Sequence, residues 1–317
     1  MTFILQKTLI YSIPLLIVAL AGMFAERSGI INLALEGEMI FGAFIGGIVV
    51  YLFQKGDILT DKPQLMYIII MLIAAAAGAL YSLLLSFSAI KLKADQTIGG
   101  TALNMLAPAI VNTLALLLFN QEKIVPLKAT NFVLINEGSK GIAAVLTDKA
   151  YISTYVIIAV FVIMSIWVYK TKTGMRMRAC GEHPQAADSV GINVAAMRYL
   201  GTTISGALAG VGGYVYVATT AGGTAESTVA GMGFLALAIM IFGNWKPLGI
   251  ALGAFLFGFL KCIGAVSSSI DFFKNLGMPM YFYNIIPYFV VLVVLALTAK
   301  KSGCPKAEGI PYDKGQR

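Results

Sequence analysis

Long uncharged stretches recur along the whole chain. Thr8 to Ala25, Met39 to Gln54, Leu65 to Ile90, Leu103 to Gln121 and Tyr151 to Tyr169 contain no Asp, Glu, Lys or Arg. Neither do Tyr199 to Ala225, Ser227 to Trp245, Pro247 to Leu260 and Tyr281 to Ala299. About 20 apolar helical residues cross the hydrocarbon core of a bilayer, so the pattern predicts an all-α fold: a polytopic transmembrane helical bundle of about 8–10 spans. It forms a single transmembrane domain over residues 1–317. The first stretch lacks a strongly basic start and a small-residue cleavage site, and is read as a retained helix.

The charges between the stretches set the orientation. Lys170, Lys172, Arg176, Arg178 and Arg198 crowd one segment, and Lys300, Lys301, Lys306, Lys314 and Arg317 crowd the tail. The positive-inside rule places both segments, 170–198 and 300–317, in the cytoplasm of a multi-pass protein of the cell (inner) membrane. Walking back along the chain puts Lys91 and Lys93 inside, and Gln121 to Ala150 and Ser267 to Met280 outside.

Composition narrows the function classes. The chain is 58% hydrophobic and 12% charged, with a mean hydropathy of +0.84, which excludes an ordinary soluble domain. The net charge of +8 falls in short loops and the tail, so it reads as topology rather than as a nucleic-acid surface. Cys180, Cys262 and Cys304 lack metal-ligand spacing, and His183 is the only histidine. No metal site and no catalytic constellation is expected. No Gly-Lys-Ser or Gly-Lys-Thr occurs, so a P-loop is missing and ATP must be bound elsewhere.

Between the first stretches, Glu26-Arg27-Ser28-Gly29 and Ile30-Ile31-Asn32-Leu33-Ala34-Leu35-Glu36-Gly37 mix glycine, charge and apolar residues too closely for a plain span or a plain loop. Glu26 to Glu38 is either a cytoplasmic link or a broken segment re-entering the membrane, where irregular backbone is tolerated only against protein or a water-filled cavity; its composition reads as a functional interruption. Asp95-Gln96-Thr97-Ile98-Gly99-Gly100 resembles Glu226-Ser227-Thr228-Val229-Ala230-Gly231, and an apolar stretch follows each. The two copies fall on opposite sides in the topology above, as an inverted repeat with interrupted helices requires. Glycines such as Gly42, Gly46, Gly206, Gly210, Gly212 and Gly213 are assigned to close helix packing.

Acids bordering apolar stretches need a reason, since a charge at a helix centre costs about 3 kcal/mol on insertion scales. Glu36, Asp95 and Glu226 either face a polar path or cap helix starts, where the dipole favours an acid; both readings stay open. Gln96, Asn32, Asn104 and Asn112 suit the hydroxyls and ring nitrogens of an uncharged solute, or bonds between helices. The candidate path is Asn32, Glu36, Gln96, Asn104 and Glu226. In the basic segment, Pro184 suits the first turn of a helix and Gly191 its end. A two-turn helix needs a docking surface to persist; Ala186, Ala187 and Val190 offer a small face for a groove on a protein partner.

Three blocks now resemble the permeases of binding-protein-dependent ATP-binding-cassette importers for simple sugars and nucleosides. They are Glu26 to Gly37, Gly181 to Gly191, and Gly231-Met232-Gly233-Phe234-Leu235-Ala236-Leu237-Ala238 through Gly243-Asn244-Trp245-Lys246-Pro247-Leu248-Gly249. The resemblance runs from about Pro14 to Ala299, the stretch over which the spans recur. It implies that Gly181, Glu182, His183, Pro184, Ala186, Ala187 and Gly191 couple to an ATPase, although His183 stands where asparagine is expected. It further implies an ATP-binding-cassette ATPase subunit, a second permease (a paralogue or this chain itself) and an extracytoplasmic binding protein or lipoprotein. ATP and magnesium would sit on the ATPase, with no cofactor on this chain. The wording of the first block is closest to the nucleoside subgroup; ribose or galactose is the alternative. An ion-coupled secondary transporter and an intramembrane enzyme are the rivals from other classes.

Overall fold

The structure is a computed structural model that describes residues 2–120, 132–134, 150–267, 280–298 and 303–315. The chain enters through α1 (Thr2–Arg27), passes an irregular link, and continues as α2 (Leu35–Lys55), α3 (Pro63–Ile90) and α4 (Gln96–Phe119). A minimal hairpin follows, in which β1 (Val133–Leu134) pairs antiparallel with β2 (Ala150–Tyr151). Next come α5 (Ile152–Lys170), α6 (Lys172–Glu182), α7 (Pro184–Ser189) and α8 (Val194–Thr219). The described order closes with α9 (Met232–Phe242), α10 (Pro247–Val266) and α11 (Met280–Thr298).

Six of these helices (α1 to α5 and α10) are long and apolar enough to cross a membrane. The 26-residue α8 and 19-residue α11 match them in length, and α9 is a shorter apolar helix. The all-α expectation therefore holds among the described residues. Most of the expected outer segments 121–150 and 267–280, and Lys300, Lys301 and Arg317 of the tail, lie outside the described residues. Leu72, Leu80, Met105, Leu117 and Leu292 are exposed while Asn32, Glu38 and Ser205 are buried, the distribution that a lipid solvent selects.

The core is organised around α8, which packs against α1, α2 and α3. Its small residues make this possible. A Cβ on Gly210 would strike the Ala74 carbonyl and the Gly78 backbone of α3, and one on Gly42 of α2 would strike Gly210 itself. A Cβ on Gly213 would strike the Met39 carbonyl of α2, and one on Gly201 would meet Ser28. Lipid supplies no hydrophobic drive between helices, so backbone-to-backbone approach and its dispersion contacts hold them. Ser86 of α3 and Thr202 of α8 add a hydroxyl contact across the same seam.

The basic segments meet at one end of the bundle. Lys93, after α3, pairs with Asp313 of the tail, and Lys314 approaches Asp188 of α7 at 3.5 Å. Arg198 at the start of α8 donates to the Ile310 carbonyl at 3.1 Å. These contacts bring Lys93, α7, the start of α8 and residues 310–314 together.

Replacing Gly210 by Val should push α3 and α2 off α8. Overpacking of this kind costs about 1–3 kcal/mol, and more where backbone must move. The expected outcome is a lower midpoint in detergent thermal unfolding, followed by size-exclusion chromatography; an unchanged midpoint would contradict the packing described.

Candidate functional site

Regular helix is interrupted at three places in the bundle, and each interruption places a carboxylate or an amide. The first is the link between α1 and α2. Gly29 carries it through a left-handed turn (φ 95°), and its freed backbone groups are taken up by α4. Gln96 Oε1 accepts from the Ile31 N–H at 2.7 Å, Asn104 Oδ1 accepts from the Gly37 N–H at 2.8 Å, and Asn104 Nδ2 donates to the Leu33 carbonyl at 2.6 Å. Gln96 and Asn104 are eight residues apart on α4, about 12 Å along its axis, so the link climbs from the basic end into the membrane.

Within the link, Asn32 is fully buried. Its Nδ2 donates to both oxygens of Glu38, at 3.1 and 3.0 Å, and to Ser205 Oγ of α8 at 2.9 Å. Its Oδ1 accepts from the Ala34 N–H. Asn32 thus ties the link, α2 and α8 together with one side chain.

Glu36 points elsewhere. Residues two apart on a helix face roughly opposite ways, so Glu38 turns to Asn32 while Glu36 turns to the second interruption, between α8 and α9. Its Oε1 accepts from the Gly231 N–H at 2.9 Å and its Oε2 from the Gly233 N–H at 2.6 Å. Glu36 therefore caps α9, a helix of eleven residues and about 16 Å that starts inside the membrane and ends at the basic end. Gly231 supplies the left-handed turn at that start (φ 71°).

Asp95 and Glu226, the two acids of the internal similarity, differ in role. Asp95 caps its own helix, with Oδ1 accepting from the Thr97 and Ile98 N–H groups at 2.8 and 3.0 Å. Glu226 lies six residues before Met232, and the corresponding cap on α9 comes from Glu36. Asn32, Glu36, Gln96 and Asn104 thus hold the two interruptions, and Glu226 lies in the segment between α8 and α9. Asn112 sits apart, on the exposed side of α4.

The third interruption joins α9 to α10 at the basic end. Asn244 and Trp245 both hold positive φ (53° and 54°), a strained pair that surrounding bonds maintain. Trp245 Nε1 donates to Glu26 Oε2 at 2.5 Å, and Tyr169 Oη and Arg27 Nη2 each donate to the Trp245 carbonyl at 3.1 Å.

The segment expected to dock a partner lies against this end. Pro184 opens α7 at its first turn and Gly191 follows it with φ 82°, as the sequence indicated; α6, ahead of it, continues the basic run as helix. The expected small face divides in two. Ala187 is buried against Cys180 and Val194 of its own chain, with Tyr312 packed beside them, because Gly181, Pro184 and Ala187 form the inward side. His183, Gln185, Ala186, Ser189 and Val190 face outward. A Cβ on Gly181 would strike the Arg27 carbonyl, and Glu182 approaches Arg27 at 3.6 Å. The α6–α7 junction thus rests directly on the start of the first interruption.

The tail straps both. The Ala307 N–H donates to the Gly181 carbonyl at 2.9 Å, and Gly309 lies on Ile31. A cavity of about 430 Å³ between α7, α8 and Lys93 is also lined by Tyr312, Asp313 and Lys314. Burial pushes the Glu308 carboxyl up, where it faces Glu26 and Cys304, and the Lys93 ammonium holds Asp313 down.

The sequence reading missed Glu38 and Ser205. The second acid in Leu35-Glu36-Gly37-Glu38 was the available signal, because the two carboxylates cannot share a helix face. Ser205, in an uncharged stretch, offered none. The described residues contain no group of three or more His, Cys, Asp or Glu placed to hold a metal.

A helical membrane bundle whose interrupted helices meet inside, with buried amides and carboxylates at the meeting point, is the architecture of a transport protein. The chain belongs to the family described as branched-chain amino acid transport system / permease component, which matches residues 4–295. It is 38% identical to the guanosine ABC transporter permease protein NupQ of Bacillus subtilis, covering 100% of this chain and 98% of that one. It is 36% identical to the nucleoside ABC transporter permease protein NupC of Lactococcus lactis, covering 99% and 97%. A putative glucose ABC transporter permease protein of Haloferax volcanii is 26% identical over 87% of this chain and 81% of its own. No solved structure matches the chain.

Two outcomes follow. Glu36→Ala should uncap α9 inside the membrane, where hydrogen bonds to a charged group are worth about 1.5–3 kcal/mol each, and should lower both the unfolding midpoint and transport. Asp95→Ala, at an exposed cap, should cost only about 1 kcal/mol; equal losses in thermal unfolding would contradict the assignment. For the tail, Glu308 holds its proton more tightly when docked, so its contribution is complete at low pH and is lost as pH rises through its raised value. Asp313 acts oppositely, contributing above the ordinary carboxylate range and losing it as pH falls through its depressed value. At pH 8, Glu308→Gln should slow tryptic cleavage at Lys306 and Lys314, and Asp313→Asn should speed it.

Proposed function

We propose that this chain is the membrane-spanning permease subunit of an ATP-binding-cassette importer and carries nucleosides across the cell membrane. The observation that carries the reading is the full-length similarity to two transporters named for guanosine and nucleosides, joined to a site built from neutral amides around an interrupted helix. Asn32, Gln96 and Asn104 are engaged with Glu38, Ser205, Ile31, Leu33 and Gly37, so in this reading they hold the interrupted helix that shapes the path rather than meet the solute themselves. A simple sugar is the second reading, favoured only by the weaker similarity to the glucose protein.

In this reading the α6–α7 junction is the cytoplasmic contact for an ATPase subunit, which would hold ATP and magnesium. Its outward residues His183, Gln185, Ala186 and Val190 meet that partner, while Gly181, Glu182, Pro184, Ala187 and Gly191 set the junction's shape. Force applied there passes from Gly181 to Arg27 and Ser28, then along the link to Asn32 and Glu36, and so to α8 and α9. Closure of the ATPase would rock the elements around the path between outward and inward access. A second permease chain completes the path, and an extracytoplasmic binding protein delivers the solute.

The test is uptake of radiolabelled guanosine, adenosine, uridine and ribose by cells lacking the chain and by complemented cells. Nucleoside uptake should vanish with the chain and return on complementation, with ribose unaffected; the reverse pattern would transfer the site to sugars. Val190→Arg should abolish uptake at normal membrane levels, because it loads the outward face of α7 with charge and bulk. Ala187→Arg should instead lower the amount of folded protein.

A further inference from the structure

Lys261 is a lone cation within α10, an otherwise uncharged helix. It stands fourteen residues beyond Pro247, about 21 Å along the axis from the basic end, and so about 9 Å inside the far edge of a hydrocarbon core about 30 Å thick. A lysine facing lipid at that depth would extend its ammonium to the nearer surface. This one does not. Its Nζ donates to Tyr288 Oη of α11 at 2.9 Å and stands 4.8 Å from that ring's centre. The Tyr288 hydroxyl in turn donates to the Ala230 carbonyl at 3.1 Å, one residue before the left-handed Gly231 that opens α9. Through Tyr288 the ammonium is tied to the start of the half-membrane helix.

Tyr288 remains 39% exposed and Phe234, on the first turn of α9, 52% exposed, so the charged pair is open on one side. Thr228 is exposed, and its Oγ1 accepts from the N–H of the same Ala230 at 3.1 Å. An ammonium, a phenol and an accessible hydroxyl at this depth, next to an aromatic ring, do not suit lipid chains. They suit water and a solute that combines a flat ring with hydroxyl groups.

We infer that Lys261 and Tyr288 line the water-filled solute path beside the start of α9 and contact the solute as it passes. The inference rests on the transport reading above, and its first arm does not depend on which solute is carried. The experiment uses the complete transporter in membranes. Lys261→Cys and, separately, Tyr288→Cys are placed in a chain whose Cys180, Cys262 and Cys304 are replaced by Ala or Ser and whose uptake is retained. A lipid-insoluble, negatively charged thiosulfonate and the lipid-permeant N-ethylmaleimide are applied.

Both cysteines should react with the charged reagent, and guanosine supplied with the binding protein should slow that reaction at least five-fold. Uptake by the Lys261→Cys chain should fall at least five-fold and recover when aminoethyl thiosulfonate restores an ammonium at that position, but not with the anionic reagent. Reaction with N-ethylmaleimide alone at both positions would place the pair against lipid and overturn the proposal. So would reaction with the charged reagent that no transported solute slows, with uptake unaltered by either modification. Protection by ribose and not by guanosine would leave the path assignment standing and remove the nucleoside reading.

Discussion

Everything in this bundle depends on how closely α8 can be approached. Its glycines let α2 and α3 settle onto its backbone, and Gly201 admits Ser28 at the mouth of the first interruption. That contact, rather than any single hydrogen bond, brings Ser205 within reach of Asn32 and leaves room for Glu38 between α2 and α8. A side chain larger than hydrogen along this seam would separate the helices by more than a hydrogen bond can span. The buried polar groups would then face hydrocarbon with no partner, which is the costliest arrangement a membrane protein can adopt.

Given the seam, the irregular segments become intelligible as one device. Breaking a helix inside a membrane frees N–H and C=O groups that water cannot reach, and here each set is answered by a residue from another part of the chain. Gln96 and Asn104 serve the link between α1 and α2, Glu36 serves the start of α9, and Glu26 with Arg27 and Tyr169 serves the turn after α9. Because every break is held by a distant element, no segment can shift without changing the hydrogen bonding of another. That is the property a transport cycle needs: few, discrete arrangements instead of continuous deformation.

The parts of this fold that lipid imposes were the parts legible in the sequence. Long uncharged stretches located the helices, basic clusters gathered Lys93, the 170–198 segment and the tail at one end, and Pro184 with Gly191 bounded α7. Those signals are local, resting on hydrophobicity, charge and turn geometry. Cross-chain pairings were not legible. Nothing near Glu226 showed that its helix would be capped from α2, and Ala187 could be placed on an apolar strip but not on the inner or outer side of it. The direction of a short helix's face depends on what packs against it, here Cys180, Val194 and Tyr312, and a single sequence does not carry that partner.

The tail's position also bears on the order of manufacture. Residues 303–315 are synthesised after all the described helices, yet they close the surface around Gly181, Asp188 and Arg198. Until they emerge, the Gly181 carbonyl, Asp188 and Arg198 lack the partners that this segment supplies. The shape of the α6–α7 junction is thus completed by a segment more than a hundred residues further along the chain, and folding there waits on contacts that no neighbouring helix can supply.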